Sequence, residues 1–430
     1  MTTTTPIDPT DPRARIKSVD MVRGFALFGV LLLNMSTFSS TPIWGVLEST
    51  GWGGIFDHIS FTMMHSVFET KSWRLFAFLF GFGFALQMLK AETQGAGSLG
   101  FYFRRLLILL FIGMAHSLFH DGDILTQYAA LGIVLLAFRK LETRFLPLLV
   151  VLLLAVFPVG NAIFSTNQGI PELSTEAEST LAESNYGRGQ REGHPYLGTV
   201  GDVIEANAPA MLRIIWRNPL GSASSVAVFA MFLVGLYVGR RRILHDIPQH
   251  LPLIRKVLYW GLGVGITSAV AEWLLGYHFG SFIWSENAAP TGIRFLGEIL
   301  FVYGSTALAL GYGAGIVLLA HGRKWIPALR LLENIGKMAL TVYLSGTLMF
   351  TILFYGYGFG QLFLIGPAGV TAYAIIFFSV QLVFCAWWLS RFRFGPMEWA
   401  WRCLTYWKVQ PLRLTKAESA KGSKHASKSD

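Results

Sequence analysis

The sequence is short of charge. Only 14% of its 430 residues are Asp, Glu, Lys or Arg, where a soluble chain carries roughly a quarter. That deficit excludes an ordinary soluble domain. Cysteine is scarce as well. Cys385 and Cys403 both fall in or near the last apolar run, so no disulfide framework is implied. Short segments of alternating hydrophobicity are missing, which argues against an outer-membrane barrel. No internal repeat is visible, so the inverted-repeat signature common in secondary transporters is absent. The opening MTTTTPIDPTDPRAR has no apolar core followed by a cleavage site, and no removable signal peptide is expected.

Apolar residues are abundant: 53% of the chain is hydrophobic and the mean hydropathy is +0.49. A helical span needs roughly 20 apolar residues, and such runs recur. The expected fold is all-α, a polytopic transmembrane helical bundle of about ten spans. The runs are Met21–Phe38, Ser72–Leu89, Leu106–Phe119, Ile124–Phe138, Phe145–Phe164, Val226–Val238, Val257–Tyr277, Phe295–Ala320, Met338–Tyr357 and Val370–Leu389. Phe56–Glu69, interrupted by His58 and His65, reads as an interfacial or re-entrant helix. The net charge of +10 is concentrated between the runs, as in Arg240-Arg241-Arg242. That is the pattern of loops held on the cytoplasmic side, not of a nucleic-acid surface. Both termini are therefore expected in the cytoplasm.

The chain divides into a disordered arm (1–17), an N-terminal membrane half (18–164), an extracytoplasmic loop (165–225), a C-terminal membrane half (226–408) and a disordered tail (409–430). Val200–Trp216 in the loop reads as an amphipathic helix along the outer surface.

Ionisable groups at membrane depth are costly, and they mark functional candidates. His116 lies one turn before the end of one run, and Asp121 and Asp123 lie in the turn after it. A carboxylate on one ring nitrogen fixes the tautomer and raises the basicity of the other. Such a base suits removing a proton from a hydroxyl or amine that attacks an acyl group. The same residues also read as a hairpin that caps itself, because Asp123 is a good helix N-cap. His116 and His120 share a helix face, but no third histidine joins them, so no metal is expected.

Asp20 and Arg23 stand i,i+3 at the mouth of the first run. They suit an intrahelical pair, a bidentate phosphate contact through Arg23 or a snorkelling anchor. Gly81 and Gly83 suggest close helix packing. Glu272 and Glu298 are further carboxylates inside apolar runs, while Glu69, Lys71 and Arg74 read as interfacial. Beyond the last run, Gly395-Pro396 breaks the helix. Glu398 and Arg402 then stand i,i+4 among Trp399, Trp401, Tyr406 and Trp407. That segment reads as a membrane-surface anchor or as the wall of a cytosolic ligand site.

Five segments carry a family resemblance: VDMVRGFALFGVLLLNM, LFAFLFGFGFALQM, GMAHSLFHDGDILTQYA, ENIGKMALTVYLSGTLMF and FGPMEWAWRCLTY. In this order the chain resembles the YeiB-like bacterial membrane proteins, a family of unknown function. Ala77 stands where that family usually has Ser, so a hydroxyl there is not essential. The family is similar to the transmembrane acyltransferases, which include lysosomal heparan N-acetyltransferase and polysaccharide O-acyltransferases. The resemblance implies a bacterial inner-membrane enzyme that takes an acyl group from cytosolic acyl-CoA to an extracytoplasmic acceptor. It implies His116 as general base oriented by Asp123, and Tyr128 as an oxyanion donor or acceptor-binding group. On the donor side it implies Arg23 with Asp20, joined by Glu398 and Arg402. The expected partners are the bilayer, acyl-CoA and the acceptor, with homo-oligomers allowed. A small-molecule exporter and a purely structural membrane component are the rival readings.

Overall fold

The computed structural model describes residues 15–39, 51–93, 98–120, 122–155, 191, 193–216, 223–279, 291–322 and 325–414. Of the two terminal arms, residues 1–14 and 415–430 lie outside the described residues, as do Asp121, the end of the fifth expected run and the acidic stretch Glu172–Glu183.

The described chain is helical, and its one β-contact is an isolated bridge between Phe392 and Arg413. In order the helices are α1 (Lys17–Ser39), α2 (Gly51–Met63), α3 (Lys71–Thr93), α4 (Ser98–Ser117), α5 (Ile124–Ala137), α6 (Thr143–Ala155) and α7 (Val200–Trp216). There follow α8 (Ala223–Arg240), α9 (Ile247–Phe279), α10 (Thr291–His321), α11 (Ile326–Lys337), α12 (Ala339–Phe354), α13 (Pro367–Leu389) and α14 (Pro396–Tyr406).

Among the described residues, five helical stretches are long and apolar enough to cross a membrane: Lys17–Ser39, Gly54–Lys90, Ile247–Leu275, Phe295–His321 and Pro367–Leu389. The pair α11 and α12, bent by 80°, makes a sixth. The remaining expected runs also form helices. However, α5 has 14 residues and α8 has 18, below the roughly 20 that a hydrocarbon core requires. Polarity is arranged for lipid. Tyr259 and Trp260 on α9 are 71% and 72% exposed, and Val383 on α13 is 71% exposed. Polar side chains such as Asn34, His116, Thr347 and Gln381 are buried. Exposed apolar faces on this scale belong against acyl chains.

Phe56–Glu69 feeds the second span. Its residues run through α2 and a π-helical stretch, Met64–Phe68, into α3 after Thr70 at φ 56°. The apolar stretch Gly54–Lys90 is 37 residues long, more than one straight crossing needs, and it is broken at this π segment.

Close packing rests on glycine at a few places. A Cβ on Gly81 of α3 would lie 2.0 Å from the Phe232 carbonyl oxygen of α8. A Cβ on Gly235 would lie 2.0 Å from the Phe78 carbonyl in return. Backbones this close are the usual way helices associate when no hydrophobic effect drives them together. Gly83 plays no such part, since nothing lies within 4 Å of its ideal Cβ. α1 packs on α11 in the same way: Cβ atoms at Gly24 and Gly336 would strike Leu332 and Asp20 carbonyls at 2.0 and 1.9 Å. α11 is an amphipathic helix that the run-based reading did not contain, because Arg330, Glu333, Asn334 and Lys337 interrupt its apolar residues.

The break at Met338 exposes the first amides of α12. Glu398 of α14 satisfies them: its Oε1 accepts from the Leu340 and Thr341 amides at 2.6 and 3.1 Å, and its Oε2 accepts from Thr341 Oγ1 at 2.6 Å. Asp57 does the same for α13, accepting from the Ala368 amide at 2.8 Å.

Two outcomes follow for purified protein in detergent. Gly81→Ala costs about 1–3 kcal/mol through overpacking, read as a fall in Tm, while Gly83→Ala leaves Tm level or raises it. Glu398→Ala lowers Tm by an amount equivalent to about 1–2 kcal/mol, since it strips a helix cap and leaves buried donors unpaired. An unchanged melt for Glu398→Ala would refute the capping role.

Candidate functional site

The α4–α5 hairpin reverses in a few residues. The amides of Phe119 and His120 bond back to the His116 carbonyl at 2.9 and 3.2 Å, closing the end of α4. Asp123 then opens α5 as its N-cap. Its Oδ2 accepts from the Thr126 amide at 2.7 Å and from Thr126 Oγ1 at 2.6 Å. Its Oδ1 is left for His116, whose Nδ1 stands 2.7 Å away. Gly113, one turn before His116, permits this approach: a Cβ there would lie 2.5 Å from Thr126 Oγ1 and 2.9 Å from Asp123 Oδ2. The cap and the dyad are thus one structure, built by a single carboxylate.

His116 and Asp123 are each 7% exposed. With Asp123 ionised, Nδ1 carries the proton and donates to Oδ1, so Nε2 is the basic nitrogen. Nε2 faces Thr347 Oγ1 of α12 at 2.7 Å and accepts its hydroxyl proton. Tyr343, one turn earlier on α12, stacks obliquely with the imidazole at 5.0 Å. Its hydroxyl lies 3.5 Å from Asp123 Oδ1 and accepts from the Ile124 amide at 3.4 Å. Asn34 of α1 completes the group with a hydrogen bond to Tyr343. His120 packs on the Phe38 ring at 4.4 Å and edge-on to His116 at 5.8 Å.

A roof covers the turn. Asn207 Nδ2 of α7 donates to the Leu118 carbonyl at 3.1 Å, and Tyr196 donates to Asn207 Oδ1 at 2.8 Å. Tyr355 donates to the Phe119 carbonyl at 3.2 Å. Arg191 grips the Leu362 and Gly360 carbonyls. The amphipathic helix therefore docks on the hairpin through a buried Asn207 as well as covering a surface.

The structure brings together His116 and Asp123 from the expected set but not Tyr128. The Tyr128 hydroxyl donates to the Trp73 carbonyl at 2.6 Å, and its ring packs among Phe76, Phe80 and Phe232. Tyr343 is the phenol at the dyad. Tyr343, Thr347 and Asn34 escaped the sequence reading, although a lone Asn or Thr inside an apolar run was the available signal.

At the opposite end of the same helices, Asp20 and Arg23 form the expected pair, with Arg23 Nη1 2.5 Å from Asp20 Oδ1. The same Nη1 reaches the Gly336 carbonyl at 3.4 Å. Arg15 stands 3.9 Å from the other Asp20 oxygen. Glu398 is committed to the α12 N-terminus. Burial pushes its carboxyl above the usual range, and the Thr341 hydroxyl and nearby amides pull the other way. Arg402 turns from Glu398 and lies over the Phe394 ring at 4.4 Å. Elsewhere, Arg74 clamps α3 to α10 through the Val302 carbonyl at 2.8 Å. His65 bonds Glu69, and Lys71 reaches the His65 carbonyl at 3.1 Å. Among the described residues no three His, Cys, Asp or Glu side chains converge as a metal site. What the arrangement offers is a desolvated imidazole with one nitrogen fixed by a carboxylate and the other facing a hydroxyl.

The family described as a protein of unknown function (DUF418) matches residues 238–408. The chain is 31% identical to the uncharacterized protein YxaH of Bacillus subtilis (strain 168), over 94% of this chain and 98% of that one. It is 25% identical to an uncharacterized 39.9 kDa protein in the amylase 3' region of Bacillus acidopullulyticus, over 95% and 99% of the two. It is 27% identical to the uncharacterized protein YeiB of Escherichia coli (strain K12), over 90% and 95%. No solved structure matches. With a match of this length and identity spanning both halves of the chain, the protein belongs to the YeiB-like DUF418 family of membrane proteins.

Proposed function

We propose that the protein is a membrane acyltransferase that uses acyl-CoA and acylates a hydroxyl or amine at the far face of the bacterial inner membrane. One observation carries the reading: His116 holds Asp123 on Nδ1 and presents Nε2 to a hydroxyl in a desolvated site. This is the arrangement of a general base for acyl transfer. The Thr347 hydroxyl marks where the acceptor hydroxyl or amine sits. Nε2 takes the acceptor proton as the acceptor atom bonds to the thioester carbonyl carbon. The carbon–sulfur bond then breaks, and the proton passes from the imidazolium to the departing thiolate. Tyr343 holds Asp123, and Asp123 holds the ring, so both act as positioning residues.

The Lys and Arg distribution supports both termini lying in the cytoplasm. The shorter helices, α4, α5, α6 and α8, then cross as packed partners, and the count stays at about ten. Donor binding falls to Arg23 and Arg402 at the cytoplasmic end, with the acceptor entering under the roof of α7.

A second reading, a small-molecule exporter, draws on charge between α3, α9 and α10. Glu272 is the carboxylate that Lys71 and Arg74 feel most. Lys71 and Arg74 are each 4% exposed, and buried charges of this kind line many transport paths.

The test is acyl transfer from labelled acetyl-CoA and longer acyl-CoAs to a panel of cell-envelope hydroxyl and amine acceptors. His116→Ala and Asp123→Asn, each shown to be folded, lower turnover by about 10²–10⁴-fold. Retained turnover in His116→Ala removes the assigned role. Substrate flux into proteoliposomes with no chemical conversion establishes the exporter instead.

A further inference from the structure

The arginines at the end of the bundle away from His116 are not balanced. Arg105, two turns into α4, lies over the Trp401 ring at 4.1 Å, and Trp401 Nε1 donates to the Arg105 carbonyl at 3.1 Å. Arg402 lies over Phe394. Neither guanidinium donates to any acceptor among the described residues, so the fork of each is unused. Each lies over an aromatic face, a contact that leaves its N–H donors available.

Arg15 and Arg23 belong to the same group. Arg105 feels the charge of both, and Arg402 feels that of Arg105 and Arg15. Burial, then these neighbouring cations, pull the Arg402 guanidinium down to about 10. Four guanidinium charges thus face two carboxylates. Asp20 is shared between Arg23 and Arg15. Glu398 has both oxygens turned to the α12 amides and Thr341. The side chains of Arg15 and Arg23 remain 26% and 24% exposed, so the cluster is open to an incoming group.

We propose that Arg15, Arg23, Arg105 and Arg402 form a receptor for a phosphate-bearing anion of at least two negative charges. A diphosphate fits best, because two planar forks in one place match two tetrahedral groups bidentately. Position supports a ligand with a long arm. His116 lies eleven residues beyond Arg105 on α4, about 16 Å at the helical rise and close to the same face. Asn34 stands in the same relation to Arg23 on α1. A diphosphate at the arginines therefore directs an attached chain along α1 and α4 to the dyad. The natural ligand's identity, a CoA-type diphosphate, rests on the acyl-transfer reading. The charge pattern does not, and a lipid phosphate headgroup has the same chemistry.

The experiment measures binding rather than turnover, on the full chain. In phosphatidylcholine nanodiscs, calorimetry follows pyrophosphate and unacylated CoA. In a second arm, native mass spectrometry counts cardiolipin, a lipid whose headgroup carries two phosphates, retained from mixed nanodiscs. Arg105→Gln and Arg402→Gln each weaken the occupied arm at least tenfold. Arg402→Lys weakens it less, because it keeps the charge but loses the fork. Arg15→Gln, at the exposed entrance, tests the cluster without disturbing packed helices. Arg255→Gln, an exposed arginine on α9, leaves binding unchanged. Arginine-dependent binding of CoA or pyrophosphate identifies a soluble diphosphate, and arginine-dependent cardiolipin retention identifies a headgroup. Either supports the receptor. Folded protein that binds in neither arm, or binds equally with Arg15, Arg105 and Arg402 replaced, overturns it. Arginine-dependent binding without acyl transfer leaves the receptor standing and removes the acyltransferase reading.

Discussion

A helix that ends away from water must find partners for its last amides and carbonyls inside the protein. Much of this structure follows from that requirement. Asp123 closes the start of α5, and the oxygen left over orients His116. Glu398 closes the start of α12 from another helix, and Asp57 closes the start of α13. Each carboxylate has a structural reason for its position before any chemistry is invoked. Among the described residues, only at Asp123 does the capping geometry leave an oxygen directed at a titratable ring. That asymmetry singles the hairpin out from the other capped ends.

The second organising element is α1. It packs on α11 through Gly24 and Gly336 and carries polar residues toward both of its ends. Arg23 and Asp20 lie near its start, and Asn34 lies near its end beside Tyr343. α4 runs in parallel terms from Arg105 to His116. The two helices connect a cationic end to an imidazole end across roughly the depth of one leaflet, about three helical turns. The acyl transfer proposed above would run along this layout, from a phosphate-rich donor at one end to an acceptor at the other.

Sequence alone determined the membrane class, the helical fold and the family. Low charge and repeated apolar runs permit nothing else, and five ordered motifs are too many to share by accident. It also placed the His116–Asp123 pair, because a seven-residue separation across a tight turn leaves little freedom. Tertiary structure decided the rest. Which runs are long enough to cross unaided depends on where helices stop, and α5 and α8 stop short. The amphipathic α11 and the 80° bend at Met338 arise from packing on α1, which no run of apolar residues encodes. Tyr128 and Tyr343 look alike in sequence, each a phenol within an apolar helix. Only the packing of α12 across α4, more than two hundred residues away in the chain, puts Tyr343 and Thr347 at the dyad and Tyr128 against Trp73. The arginine cluster is equally non-local. Arg15, Arg23, Arg105 and Arg402 come from three separate segments, and their shared deficit of anions exists only once those segments are folded together.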